Sequence, residues 1–152
     1  MDLDLIDQRL LELLQINADS TIKALALELN LSTTAVHERI KKLERNGVIT
    51  HYTAIVDKKK VGRDFVVLCH IQLEKHRQES IQEFEAEVSS LQEVLEVYHV
   101  SGQSDYILKV CVADMEAYRE FVVNKLTKIK HIGSTQSTFV ISEVKNSTVI
   151  TW

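Results

Sequence analysis

Residues 20–47 read STIKALALELNLSTTAVHERIKKLERNG, and this stretch decides the front half of the fold. Ser20 or Thr21 opens a short helix, with Ile22, Leu25, Ala26 and Leu29 at helical spacing. Asn30-Leu31-Ser32 is a tight turn, and the Ser32 hydroxyl suits the N-cap of a longer helix through Arg45. Val36, Ile40 and Leu43 fall at i, i+4 and i+7 along one side of it, and Asn46-Gly47 is a stop signal. Working backward, Asp4 can cap a preceding helix that carries Ile6, Leu10, Leu13 and Leu14 on one face and stops near Asn17-Ala18-Asp19-Ser20. Three short helices with a tight turn between the second and third are helix-turn-helix geometry.

Working forward, Val48 to Asp57 is β-like, and Lys58-Lys59-Lys60 with Gly62 marks a boundary. The period then changes. Phe65, Val67, Cys69, Ile71 and Leu73 alternate along a strand, and Ile81, Phe84, Val88 and Leu91 stripe a helix. Val94–Ser101 and Asp105–Val112 read as two strands joined by a Gly-Gln-Ser turn. Met115, Tyr118, Phe121, Val122 and Leu126 make another helix. A last long strand runs from Gly133 to Val144, with an extra one at Thr148–Trp152. The order is β-α-β-β-α-β, a ferredoxin-like arrangement.

The expected fold class is α+β, with a winged helix-turn-helix in front. Residues 1–50 form the DNA-binding domain, 51–62 a β-type linker, and 63–152 a domain for effector binding and oligomerisation. One layer of helices covers one face of such a sheet. The other face would carry Val66, Leu68, Ile107 and Cys111 beside His70 and Lys109, which is too apolar to stay wet. That predicts pairing of two chains through the sheet.

Composition limits the alternatives. With 45% hydrophobic and 26% charged residues the chain has a globular balance and no signature of disorder. No apolar run approaches the roughly 18 residues of a membrane span, so no membrane partner is expected. Met1-Asp2-Leu3 does not open a basic, apolar leader, so a cytoplasmic location is expected. Cys69 and Cys111 sit in apolar β-type runs without CxxC spacing, which predicts buried reduced thiols and no metal. The net charge of −4 is unusual for a nucleic-acid binder, but its distribution is uneven. Residues 32–60 hold seven basic side chains against three acidic ones, while the segments on either side are acidic.

On a helical wheel, Thr34, His37, Glu38, Lys41 and Arg45 project opposite Val36, Ile40 and Leu43, with Arg39 and Lys42 at the flanks. Together with Ser32 and Thr33 at the helix start, these form the candidate set for double-stranded DNA. They supply donors and acceptors for base edges at the front and cations for phosphates further along.

The residues resemble a known family. Leu3-Asp4-x-x-Asp7, the turn from Leu25-Ala26 to Leu31-Ser32, and Val36-x-x-Arg39-Ile40-x-x-Leu43-Glu44-x-x-Gly47-Val48-Ile49 look like the N-terminal domain of the Lrp/AsnC (feast/famine) regulators. Thr53-Ala54-x-Val56-Asp57 and Val61-Gly62 continue the match, and Gly102-Gln103-Ser104-Asp105-Tyr106 resembles that family's effector loop. The chain departs from the pattern at Asp19, where arginine is common, and at Ser104, where an aromatic is frequent. The resemblance implies a homodimer that assembles further, to an octamer, and binds DNA through paired helix-turn-helix units. It also implies an amino-acid effector bound between subunits and no cofactor.

A free amino acid offers an ammonium and a carboxylate. Gly102 permits the φ > 0 backbone of a tight loop whose N–H groups can face an anion, and Asp105 is an acceptor for the ammonium. Thr135 and Ser137 on the last strand add hydroxyls. With Tyr98, Val100, Gln103, Ser104 and Gln136 these make the candidate effector site. On the residues alone, Gly102–Asp105 also reads as a plain hairpin turn in which Asp105 bonds its own backbone.

Two rivals stand beside a regulator. Some haem-pathway decarboxylases share the two-part architecture, and His70 or His99 suits acid chemistry. Against an enzyme, the chain has no phosphate loop, nucleophile elbow or paired-carboxylate motif, and neighbouring Cys69 and His70 point to opposite sheet faces. The other rival is an amino-acid-sensing module whose front end does not bind DNA, which Asp19 and the acidic balance favour.

Overall fold

The computed structural model describes residues 2–152, which divide into two compact units. The first unit runs to Ile55 and includes Val144–Trp152; the second is Val56–Glu143.

The first unit is built on α1 (Leu5–Ile16), α2 (Ile22–Leu29) and α3 (Thr33–Arg45). Each start is capped as its residue type predicts. Asp4 Oδ1 accepts from Asp7 N at 2.7 Å, Thr21 Oγ1 from Ala24 N at 3.1 Å, and Ser32 Oγ from Ala35 N at 3.1 Å. Asn30 closes α2 in the left-handed region at φ 52, a conformation asparagine tolerates, and Leu31 N returns to Ala26 O at 3.0 Å. That left-handed residue sets the sharp turn into α3. The core beneath is Leu10, Leu11 and Leu14 of α1, Leu25 and Ala26 of α2, and Val36, Ile40 and Leu43 of α3. Leu11 is thus fully in the core, whereas the expected Ile6 and Leu13 are half-buried.

Two expectations are corrected here. Residues 48–57 form no strand, and Tyr52 instead donates to the Glu44 carboxylate at 3.1 Å. Thr148–Trp152 is not a strand either and does not belong with the sheet. The Gln15 amide satisfies its backbone, donating to Ile150 O at 3.0 Å and accepting from Ile150 N at 2.8 Å. Ile150 and Trp152 line an apolar groove together with Leu11, Leu14 and Ile55. The division expected at residue 62 therefore misses that the tail folds with the front unit.

The second unit is a four-stranded antiparallel sheet of β1 (Phe65–Leu73), β2 (Val94–His99), β3 (Tyr106–Val112) and β4 (Ile132–Phe139), in the order β2-β3-β1-β4. Helices α4 (Gln78–Ser89) and α5 (Met115–Asn124) supply the helical layer, followed by a 3₁₀ turn at Leu126–Lys128. The alternation along β1 sends Val67, Cys69, Ile71 and Leu73 into a core with Phe84, Val88, Tyr118 and Phe121. On the opposite face, Val66 and Cys111 are buried while Leu68, His70, Ile107 and Lys109 are half-buried. β4 ends at Phe139, five residues short of the expected Val144.

Candidate DNA-binding helix and effector site

α3 carries two rows. Val36, Ile40 and Leu43 are buried, and Thr33, Thr34, His37, Glu38, Lys41, Lys42 and Arg45 are exposed. The Ser32 hydroxyl caps the helix, so it positions the row. Lys41 Nζ lies 2.8 Å from Glu44 Oε2, and this bond, with the Tyr52 hydroxyl, holds the Glu44 carboxyl below the usual carboxylate range. Exposed pairs of this kind contribute little, so Lys41 can be released to an anion at small cost. His37 Nδ1 stands 3.7 Å from Glu38 Oε1.

Arg39 does not join the outward row. Its Nη1 bonds Asp4 Oδ2 at 2.8 Å and Asp7 Oδ1 at 2.5 Å, locking α3 to the start of α1. Asp7 is fully buried, and a buried carboxylate needs a cation. Lys42 Nζ, 3.8 Å from Asp7 Oδ2, leans to the same side. This clamp gives Arg39, expected at the flank of the DNA-facing row, a place between α3 and α1. Asp7 was legible as a charge on the apolar stripe, three residues ahead of Leu10.

The candidate effector residues fall into separate groups. Gly102 has φ 134, as the turn between β2 and β3 requires. Val100 N donates to Asp105 O at 2.9 Å, which closes that turn with Gln103 exposed at it. Asp105 is the residue most changed by the structure. Its Oδ2 accepts from Leu73 N at 2.8 Å and its Oδ1 lies 2.8 Å from His76 Nε2. These bonds, the Leu73 N–H first, hold its carboxyl below the ordinary range. Asp105 thus stitches the end of β1 to the start of β3, and both its oxygens already have partners. Neither partner is the backbone of its own turn, which the plain hairpin reading expects.

On the face away from the helices, Tyr98, Ile107, His70 and Gln136 form one row across all four strands, read from the pairings Tyr98↔Ile107, His70↔Ile107 and His70↔Gln136. Ser104 Oγ joins it, 3.4 Å from His70 Nδ1. Thr135 and Ser137 pair with Ile71 and Cys69 and therefore lie on the helical face. The Ser137 hydroxyl is 2.6 Å from the Tyr118 hydroxyl, which is also 3.4 Å from Cys69 Sγ. Burial pushes the Tyr118 phenol up. One chain therefore does not bring all nine residues together, since β2 and β4 are the two edges of the sheet, about 14 Å apart at ~4.8 Å per strand. His70, His76 and Tyr118 are the partners the sequence reading missed. Only the folded chain brings them beside Ser104, Asp105 and Ser137.

Known proteins agree with both halves. Residues 3–50 match a family described as winged helix-turn-helix DNA-binding, and residues 66–150 match the Lrp/AsnC ligand binding domain. The chain is 35% identical over 146 residues to the leucine-responsive regulatory protein of Salmonella typhimurium, covering 96% of this chain and 89% of that one. It is 33% identical to the DNA-binding transcriptional activator DecR of Escherichia coli, covering 96% of each. Among solved structures, a transcriptional regulator from Neisseria meningitidis in complex with L-Met superposes with a TM-score of 0.94 at 29% identity, over 98% of this chain and 96% of that one. Among the described residues no helix is long and apolar enough to cross a membrane. Matched at both ends and along nearly its whole length, the chain belongs to the Lrp/AsnC family: it is a DNA-binding transcriptional regulator that joins a helix-turn-helix to a ligand-binding domain.

Proposed function

We propose that this protein is an amino-acid-responsive regulator that acts in the cytoplasm as a homodimer assembling to an octamer. It performs no chemistry of its own and needs no cofactor. The observation that carries the DNA half is the division of α3 into a buried apolar row and an exposed row of Thr34, His37, Glu38, Lys41 and Arg45. Side chains at the front of such a helix reach base edges in the major groove, and Arg45 in its last turn suits a phosphate. Arg39 and Lys42 serve the clamp to α1.

For the sensing half, the L-Met complex of the Neisseria regulator supports an amino acid as the effector class. The Gly102–Ser104 turn with Tyr98 and Val100 lies at one end of the site, and Thr135, Gln136 and Ser137 at the other sheet edge. A ligand small enough to be one amino acid touches both groups only if a second chain supplies one of them. Asp105 shapes the turn, and the ammonium then falls to other acceptors such as backbone carbonyls.

Two measurements on the purified protein test this reading. A thermal-shift panel of the twenty amino acids should single out one or a few that stabilise, because a ligand bound only to the folded state raises its stability. Gel retardation with genomic fragments should show salt-sensitive binding. A protein that retards no fragment and responds to no amino acid would refute the proposal.

A further inference from the structure

Residues 148–152 return to the DNA-binding unit, which the chain leaves after Ile55 and rejoins at Val144. Gln15, in the last turn of α1, takes both backbone groups of Ile150. Its Nε2 donates to Ile150 O at 3.0 Å, and its Oε1 accepts from Ile150 N at 2.8 Å, across 135 residues of sequence. Ile150 and Trp152 share their groove with Leu11 and Leu14 of α1 and with Ile49 and Ile55 of the segment that follows α3. The tail therefore lies against α1 and the exit of α3, two borders of the core on which α3 is seated. It is held lightly. Residues 148–152 form no strand, and Ile150 stays 67% exposed and Trp152 56%. A segment that buries so little apolar surface opens far more readily than the unit beneath it unfolds.

We propose that residues 148–152 are a releasable strap. Docked on Gln15, they brace α1 against the segment leaving α3 and hold the unit in the form that binds DNA; released, they leave it in a weaker-binding form. Such a pair of forms has a measurable consequence in both directions. Apparent DNA affinity falls with the docked fraction, and duplex DNA in turn closes the strap. Trp152 is the chain's one tryptophan, so its fluorescence reports the strap directly.

The test uses the full chain with Gln15→Ala, which removes both bonds from the α1 side, and with Ile150→Pro, which removes the N–H from the tail side. Two neutral hydrogen bonds of ordinary strength shift the docked-to-open ratio by about five- to a hundredfold. Gln15→Ala should therefore red-shift the Trp152 emission and expose it to quenching by acrylamide, with far-UV circular dichroism unchanged. Its affinity for a random duplex, at one fixed salt concentration, should fall by the same factor as the docked fraction. Ile150→Pro should move both readouts the same way, and the double variant should do no more than Gln15→Ala, because both break one contact. Adding the duplex to Gln15→Ala should return the emission toward its wild-type position. An unchanged emission in Gln15→Ala would overturn the docking. A shifted emission with undiminished DNA affinity would overturn the brace, as would additive effects in the double variant. If Gln15→Ala loses helicity, Ile150→Pro, which lies outside every helix, decides by the same two readouts.

Discussion

Both oxygens of the Asp105 carboxylate are engaged within the chain, by Leu73 N and by His76 Nε2. Leu73 is buried, so Asp105→Ala would leave its N–H without an acceptor, a loss of about 1–3 kcal/mol. We expect a lower unfolding midpoint in urea for that variant, and a wild-type midpoint would remove the stitching role. The pH dependence carries a sign. A carboxyl whose pKa is depressed by folding contributes stability that is present above its unfolded value, about 3.9, and lost as the pH falls through the folded value. The stability gap between wild type and Asp105→Ala should therefore narrow as the pH is lowered below about 4. α3 allows a second comparison between single residues. Lys41→Ala should weaken a preferred DNA site more than random DNA, each good base contact being worth roughly 1–3 kcal/mol. Arg45→Ala should weaken both alike and flatten the salt dependence, as measured by titrations at several salt concentrations. At this scale residue types and turns were legible, but what the side chains bond was not. Gly102 and Asp105 were marked by their types, whereas His76, exposed beyond the end of β1, meets Asp105 only after β1 and β3 pair.

The three front helices were read almost to the residue because their caps are local. Asp4, Thr21 and Ser32 each bond an N–H three residues on, and Asn30 needs only its own backbone to turn the chain. What joins the helices is not local. Arg39 reaches back thirty-two residues to Asp7, and neither spacing nor wheel position reveals that pair. Arg39→Ala would leave the Asp7 carboxylate buried with Lys42 3.8 Å away. Removing one partner of a fully buried pair costs about 3–5 kcal/mol; the part-exposed Arg39 and the nearby Lys42 place this case toward or below the lower end. The expected result is a front unit that melts earlier in circular dichroism and loses DNA binding with its helicity. Retained helicity with lost DNA binding would instead return Arg39 to the DNA-contacting row. Alternating apolar residues predict a strand only where a neighbour offers a free edge, and at 148–152 Gln15 takes the tail's backbone instead.

At the scale of the whole molecule, the sheet face away from the helices is half covered. Val66 and Cys111 are buried, while Leu68 and Ile107 are half-buried beside the Lys109–Glu96 pair at 3.0 Å. Alternation along β1 and β3 made this face legible, because each core residue fixes its neighbour on the other side. The argument for a dimer is that Val66, Leu68, Ile107 and Cys111 put apolar surface on the two middle strands, across from Lys109 and His70. Introducing charges on that face by Leu68→Glu/Ile107→Glu removes two apolar contacts of about 1.5–3 kcal/mol each, so the dissociation constant of the dimer should rise by about a hundredfold or more. Sedimentation at micromolar concentration should then show a monomer with unchanged circular dichroism. The same variant also tests where the effector binds. Leu68 and Ile107 are not among the proposed ligand residues, yet Tyr98 and Thr135 lie on opposite edges of one sheet and can share a small ligand only across chains. If the site is assembled from two copies, the monomeric variant should lose its thermal response to the amino acid that stabilises the wild type. For the wild type at a hundredfold excess over Kd that response is about 2.7 kcal/mol. A monomer that still responds fully would place the effector within a single chain and remove the shared site.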